Sequence, residues 1–126
     1  MKLMGIDYGS KRVGIAITDQ SGVMAFPRSV LPNDKNLVSV IKKICLDEKI
    51  EKIIIGDSKD SNMKDNAIMQ SVRRFAKVIS DETNLPIEFE LEFMTSQQAI
   101  LIQGENDMID ASAATIILQS YLDKKK

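Results

Sequence analysis

Histidine is absent from this sequence of 126 residues, and its absence excludes several kinds of active site. The chain cannot use a histidine base, a serine–histidine dyad or histidine metal ligands. If the protein is an enzyme, its polar chemistry must come from carboxylates, lysine, arginine, tyrosine and hydroxyl groups.

Cysteine is almost absent, since Cys45 is the only one. A single cysteine forms no intramolecular disulfide and cannot supply a cysteine cluster for zinc. Long apolar runs are also missing, because none reaches the roughly 18 residues of a membrane span. The first residues, MKLMGIDYGS, run straight into a strand-like pattern, unlike a signal peptide. We therefore expect a cytoplasmic protein with no membrane partner.

An excess of positive charge is missing too. Lysine and arginine number 17 and the acidic residues 18, which gives a formal net charge of -1. Proteins that hold nucleic acid by bulk charge are strongly basic, so a nucleic-acid function must here depend on a local site. The hydrophobic fraction of 44% is typical of a globular chain, and no linker or repeat divides it. We expect one domain over residues 1–126.

The apolar pattern of the first third predicts three strands joined by short turns, at residues 2–8, 13–18 and 23–30. Gly22, in the second turn, can adopt a positive φ. Pro27 interrupts the third strand, which suits a strand at the edge of a sheet. The three strands are expected to form an antiparallel meander.

The pattern then changes to helical spacing. Asn33 or Asp34 is the predicted N-cap of a first helix. The apolar stripe of this helix consists of Leu37, Val40, Ile41, Ile44 and Cys45. The remaining predicted elements are a buried strand at 52–55, a polar loop at 57–64, a helix with its stripe from Ile68 to Ile79, a strand at 87–93, a short helix at 96–103 and a last helix at about 108–123.

The order β-β-β-α-β-α-β-α predicts an α/β fold with a five-stranded mixed sheet and helices on both faces. Right-handed crossovers place the fourth strand beside the first and the fifth strand beyond it. The carboxyl ends of these three strands then share one edge of the sheet. Open α/β sheets bind their ligands at this edge.

Three acidic residues lie where acids are costly to bury. Asp7 ends the first strand, Glu92 ends the fifth, and Asp110 opens the apolar stripe of the last helix. The predicted topology allows the three carboxylates to converge, and converging carboxylates need a cation. Oxygen ligands without histidine or cysteine select Mg²⁺ or Mn²⁺. Two such ions can flank a phosphodiester.

Each of these acids also has a simpler interpretation. Asp7 could make an Asx turn with the glycine that follows its strand. Asp110 could be a helix N-cap, or Asp107 could be the cap with Asp110 in the first turn. Glu92 could be a surface acid, because Glu88 and Glu90 share its alternating face.

Phosphate contacts are predicted next to the first acid. The turn after the first strand carries Ser10, Lys11 and Arg12, whose backbone N–H groups and side chains could bind phosphate, although the pattern slightly favours an ordinary hairpin with exposed cations. Thr95, just after Glu92, could orient the site or cap the helix that follows.

The chain resembles the YqgF family of Holliday-junction-resolvase-like proteins, which are associated with pre-16S rRNA nuclease activity. Four segments carry the resemblance and together span nearly the whole chain. They are MGIDYGSKRVGIA at 4–16, IIIG at 53–56, LEFMTS at 91–96 and IDASAATIILQSYL at 109–122. The first of these segments is the most specific. The resemblance implies an RNase H-like fold with Asp7, Glu92 and Asp110 as catalytic acids.

The sequence departs from the family pattern at several positions. Leu91 stands where the family usually has Asp, and Phe93 where it has Arg. Asp57 and Ser58 replace the usual Leu-Pro. The segment between Ala99 and Asp110 is shorter than in the family and lacks its basic residues. Loss of the Arg at position 93 and of the basic segment removes phosphate contacts that the resemblance implies, while the implied metal-binding acids are retained.

The resemblance implies a divalent-metal-dependent nuclease that acts on structured nucleic acid. The expected substrate is the 5′ end of pre-16S rRNA, with a branched DNA junction second, and the expected cofactor is one or two Mg²⁺ or Mn²⁺ ions. The alternative is a catalytically weakened RNase H-like protein that binds nucleic acid or a protein partner. A phosphate-handling domain of the actin and sugar-kinase type is less favoured, since those proteins need two such domains. We expect a monomer or a weak homodimer.

Overall fold

Five strands and three helices make up the described parts of the chain. The computed structural model describes residues 1–9, 11–57, 67–91 and 109–124, with side chains for 1–9, 11–56, 70–90 and 113–124. The elements are β1 (Leu3–Tyr8), β2 (Arg12–Thr18), β3 (Ala25–Pro32), α1 (Leu37–Asp47), β4 (Lys52–Asp57), α2 (Ala67–Thr83), β5 (Ile87–Leu91) and α3 (Ile109–Lys124).

The strands form one mixed sheet in the order β3-β2-β1-β4-β5. β1 pairs with β2 and β2 with β3 in antiparallel fashion, while β1, β4 and β5 are parallel. Leu3 lies opposite Lys52, and Ile53 lies opposite Ile87. The predicted meander and the predicted positions of the fourth and fifth strands are confirmed.

Helices cover both faces of this sheet, as predicted. Strand side chains point alternately to the two faces. Met4 and Ile6 of β1 pack with α1 and α2 in one core cluster, and Leu3 packs with α3 in the other. The apolar runs of β1 and β4 are continuous because both of their faces are buried. No helix of the described segments is long and apolar enough to cross a bilayer.

Three details of β3 and α1 differ from prediction. β3 runs two residues further than expected, to Pro32, so the chain has not yet turned at Asn33. The N-cap of α1 is Asn36 rather than Asn33 or Asp34, because Asp34 Oδ1 instead accepts the backbone N–H of Asn36 at 2.9 Å. Val40 of the predicted stripe is exposed, because the buried positions of α1 are Leu37, Ile41, Ile44 and Cys45.

The remaining elements lie near their predicted ranges as far as they are described. β4 begins at Lys52 as predicted but runs two residues further than expected, to Asp57, and α2 covers the predicted helical range. The buried stripe of α3 consists of Ala113, Ala114, Ile117, Leu118, Tyr121 and Leu122. The predicted polar loop after Asp57, the end of the fifth strand beyond Leu91 and the short helix at 96–103 lie outside the described residues.

Candidate functional site

The predicted acid of the first strand, Asp7, lies at the carboxyl end of β1. It is the next-to-last residue of this strand and is half-buried. Alternation along β1 assigns Asp7 to the same face as Leu3 and Gly5. This is the face that α3 covers, since Leu3 belongs to the α3 core cluster. A carboxylate is therefore held at the edge between the sheet and this helix.

Close packing at Gly5 fixes the position of α3 along β1. A Cβ atom at Gly5 would lie 2.8 Å from Leu118 Cβ and 2.9 Å from the Ala114 carbonyl oxygen. Further along α3, the hydroxyl of Tyr121 accepts a hydrogen bond from Lys52 Nζ at 2.8 Å. Because Lys52 is paired with Leu3, α3 runs opposite to β1, with its first turn toward the carboxyl end of that strand.

This packing brings residue 110 to the level of residue 7. Asp7 lies two residues beyond Gly5, which corresponds to roughly 6.7 Å along a strand. Residue 110 precedes Ala114 by four residues, which corresponds to roughly 6 Å along a helix. The backbone therefore carries two of the three predicted acidic positions to the same edge of the sheet.

The convergence of all three carboxylates remains a prediction. The side chain of Asp110 and the whole of Glu92 lie outside the described part of the structure, as do Ser10 and Thr95. Within the residues whose side chains are described, no group of three or more acids or cysteines could hold a metal ion.

The face of β5 that carries Glu88 and Glu90 is covered by α3. Glu88 pairs with Lys52 at 3.0 Å, and Glu90, only 5% exposed, pairs with Lys124. Glu90 is therefore buried on this face, while Glu92, for which a surface position was considered, lies outside the described residues. Lys124 ends α3 and pairs across to β5.

The hairpin after Asp7 presents two cations. Lys11 and Arg12 are both exposed. Asn33 holds this hairpin from β3: its Nδ2 donates to the Gly9 carbonyl at 2.7 Å, and its backbone N–H donates to the Lys11 carbonyl at 2.9 Å. The sequence pattern suggested a helix cap for Asn33 and missed this bracing role, because the contact spans 24 residues.

Asp57 is a further acidic residue that the sequence pattern assigned to a loop. It is the last residue of β4 and pairs in register with Leu91 of β5. This strand end belongs to the same edge as the end of β1. The sequence feature that could have indicated this position is an acidic residue directly after the apolar IIIG run.

Cys45 can be set aside as a reactive group. Its thiol is buried in the core, and burial raises its pKa to about 11. The reactive thiolate is therefore disfavoured at neutral pH.

Solved structures place this arrangement in the RNase H-like fold of the Holliday junction resolvases. The Thermus thermophilus RuvC bound to a Holliday junction matches with a TM-score of 0.66 and 12% identity, over 99% of this chain and 96% of RuvC. The fowlpox virus Holliday junction resolvase matches with a TM-score of 0.59 and 15% identity, over 98% and 99%. At these identities the likeness shows the fold, and the predicted fold class is confirmed.

The sequence comparisons identify the family. The model of RuvX, described as a Holliday junction resolvase, matches residues 1–124. Proteins named "Putative pre-16S rRNA nuclease" are 34% identical in Phocaeicola vulgatus and 31% in Syntrophomonas wolfei, and the matches cover 99% and 98% of this chain and 97% and 94% of those proteins. The chain belongs to the RuvX family. Both names describe enzymes that cleave phosphodiester bonds, so the predicted enzyme class is confirmed at the level of the family.

Proposed function

We propose that this protein is a divalent-metal-dependent nuclease that cleaves structured RNA, with the 5′ end of pre-16S rRNA as its substrate. Asp7, Glu92 and Asp110 are the catalytic acids and hold one or two Mg²⁺ or Mn²⁺ ions. The proposed location is the cytoplasm, and the proposed state is a monomer or a weak homodimer.

The position of Asp7 is the observation that carries this proposal. Its half-buried carboxylate ends a parallel strand on the face of α3, whose first turn reaches the same level. In the sequence, Glu92 directly follows Leu91, the last described residue of β5, and comes two residues after Glu90. A donor set of carboxylates alone fits a hard cation such as Mg²⁺ or Mn²⁺. When bound, such ions supply Lewis-acid stabilisation of the charge that develops on phosphate oxygens.

The chain's own residues bind and orient the substrate in this proposal. Lys11 and Arg12 stand exposed directly after the strand that carries Asp7, and Ser10 lies between them and this strand. Charge-assisted contacts from these residues to phosphate oxygens position the scissile bond. Thr95 is proposed as a further contact. The names of the relatives support an RNA substrate, and the family description keeps a branched DNA junction as the second candidate.

One observation favours a second candidate, a catalytically weakened protein that binds nucleic acid or a protein partner. Leu91 and Phe93 replace the family's Asp and Arg, and the segment before Asp110 lacks basic residues. Loss of these groups weakens substrate binding more than metal binding.

A cleavage assay with the purified chain decides between the two candidates. The substrates are a precursor RNA that carries the 5′ leader of 16S rRNA, a four-way DNA junction and a linear duplex of equal length. We expect cleavage of the RNA that requires Mg²⁺ or Mn²⁺. We also expect at least roughly a hundredfold loss of rate in Asp7→Asn, since even outer partners of metal ligands cost 10- to 100-fold. Cleavage that survives Asp7→Asn would contradict the proposed site, and metal binding without cleavage would favour the weakened binder.

A further inference from the structure

A second concave feature lies at the same edge of the sheet, on the face opposite Asp7. It is a cleft of about 280 Å³ between the end of β1, the start of α1 and the first half of α2. Its lining includes Tyr8, Asn33, Leu37, Arg74 and Phe75. This volume is near the lower end of the range for ligand pockets and provides room for one ring system.

The chemistry of this cleft combines an aromatic wall with a cation at its rim. The rings of Tyr8 and Phe75 lie 4.7 Å apart at an angle of 38°. Phe75 and Leu37 are buried, so Tyr8, which is half-buried, rests on a fixed apolar support. Arg74 is exposed, and no hydrogen bond or ion pair involves it among the described residues. The acid in this cleft, Asp34, has one carboxylate oxygen occupied by the backbone N–H of Asn36.

The cleft is connected to the candidate catalytic edge through adjacent residues of β1. Tyr8 follows Asp7 directly and points to the other face, with an axial rise of about 3.3 Å. A strand of nucleic acid that crosses this edge can place a phosphodiester at Asp7 and a neighbouring base at Tyr8. A base that is paired and stacked in a duplex cannot enter the cleft.

We infer that this cleft is a subsite for one unpaired nucleotide next to the phosphodiester that is cleaved. The base stacks on Tyr8, and Arg74 pairs with the phosphate of that nucleotide. This inference rests on the proposed nuclease function and narrows it to substrates with an unpaired nucleotide beside the cleaved bond. Stacking on an aromatic ring tolerates any base, because every base has a π-face.

Binding of single-stranded oligonucleotides tests the inference without cleavage. The probes are a thymidine decamer and a decamer of abasic sites with the same phosphates, measured by fluorescence anisotropy in EDTA at low salt. Tyr8→Leu should weaken binding of the thymidine decamer roughly five- to a hundredfold and leave binding of the abasic decamer unchanged. Tyr8→Phe should retain the wild-type affinity for both probes, because the ring remains.

Arg74→Gln has a different expected signature. The slope of log affinity against log salt should fall by about 0.7, the value for one phosphate contact on a single strand. Lys43→Gln, which removes an equal charge from α1 outside the cleft, should leave slope and affinity unchanged. Thermal melts of all variants separate loss of binding from loss of folding.

The outcomes separate this inference from the proposed function. A wild type that cleaves precursor RNA while Tyr8→Leu and Arg74→Gln bind both decamers normally overturns the subsite and leaves the nuclease intact. Equal losses on the thymidine and abasic decamers in Tyr8→Leu also overturn it, because the ring would then act structurally. A wild type that binds neither decamer and cleaves nothing overturns the subsite together with the function.

Discussion

At the residue scale, Asp7 and Asp19 both lie near the end of a strand but have different surroundings. Asp19, just after β2, accepts backbone N–H groups from Val23 at 3.0 Å and Met24 at 3.4 Å and the Ser21 hydroxyl at 3.0 Å. The backbone hydrogen bond from Val23 is the main reason why the pKa of Asp19 is lowered. Asp19 therefore makes the kind of turn that was also considered for Asp7, for which that interpretation remains untested, and Asp7 lies on the face that α3 covers.

Replacing these two acids should separate stability from activity. We expect Asp7→Asn to abolish cleavage and to leave the melting temperature unchanged or raised, because repulsion between neighbouring carboxylates is relieved. Asp19→Ala should lower the melting temperature and retain cleavage, since its turn loses its acceptor. Thermal melts and cleavage rates of both variants check this. A large loss of stability in Asp7→Asn would show that Asp7 is a structural residue.

Phe93 stands at a position where the family resemblance implies a phosphate-binding Arg. If the protein is a nuclease that lacks only this contact, Phe93→Arg should raise the cleavage rate about ten- to a hundredfold, since a charge-assisted hydrogen bond contributes roughly 1.5–3 kcal/mol. Phe89→Arg adds the same charge to an exposed position of β5 and is the control. A melt must precede the kinetics. No gain in a folded, metal-binding variant would favour the binding-protein alternative.

At the element scale, the strands and the last helix were predictable because both faces of the sheet are covered. Continuous apolar runs mark β1 and β4, and the stripe of α3 marks the face that it buries. The cap of α1 was not predictable, since it depends on where β3 ends and the chain turns. The exposure of Val40 was not predictable either, since it depends on which elements pack against α1. Local sequence pattern determines neither the position of this cap nor the exposure of this side chain.

In the candidate site, too, some features were predictable from local sequence pattern and others were not. Asp7 was identifiable because an acid interrupts an apolar strand. The bracing of the hairpin by Asn33 depends on a hydrogen bond between distant segments, and the place of Asp57 depends on an exact strand boundary. Strand and helix ends shift by one or two residues between equally good readings of a sequence.

The close packing of α3 against Gly5 of β1 can be tested by a substitution at this glycine. Gly5→Ala places a Cβ against Leu118 Cβ and the Ala114 backbone, so α3 must shift, at a cost of about 1–3 kcal/mol. Because this contact sets the level of residue 110 relative to Asp7, cleavage should fall by up to about a hundredfold at temperatures where the variant is folded. Denaturant unfolding and single-turnover rates measure the two effects.

Gly22→Ala is the control for this variant. Gly22, at the opposite end of the sheet, has φ +73°, and a Cβ atom there would clash with the Met1 carbonyl oxygen. It should also lose stability, but its cleavage rate should match the wild type when folded. Equal rates in both variants would mean that the packing of α3 does not position the site.

At the scale of the whole molecule, the two ends of the sheet have different roles. One end carries Asp7, the hairpin cations and the cleft at Tyr8. The other end carries a charged network in which Glu48, after α1, accepts hydrogen bonds from Lys2 Nζ at 2.8 Å and Arg28 Nε at 3.0 Å. This network joins the start of β1, the middle of β3 and the end of α1, so it stabilises the fold far from the candidate site.

The network gives a pH dependence of stability with a definite sign. Hydrogen bonds from Lys2 and Arg28 lower the pKa of Glu48 below its ordinary value of 4.5. The stabilisation is therefore complete above about pH 4.5 and is lost as the pH falls through the lower pKa of the folded state. For partly exposed pairs this amounts to about 0.5–1 kcal/mol. Unfolding free energies of wild type and Glu48→Gln should differ at pH 6 and converge as the pH falls below the lowered pKa of Glu48, whereas a constant difference would exclude this linkage.

Metal binding should stabilise the whole fold if the acids converge at one edge. A cation that binds only the folded chain adds RT ln(1 + [L]/Kd), which is about 2.7 kcal/mol at a hundredfold excess over Kd. We expect Mn²⁺ to raise the melting temperature of the wild type. The same rise is expected in Asp19→Ala, because Asp19 lies outside the candidate site, and a much smaller rise is expected in Asp7→Asn. Differential scanning calorimetry over a Mn²⁺ titration measures this. Equal stabilisation of all three proteins would place the ion elsewhere, because Asp7 would then contribute no ligand.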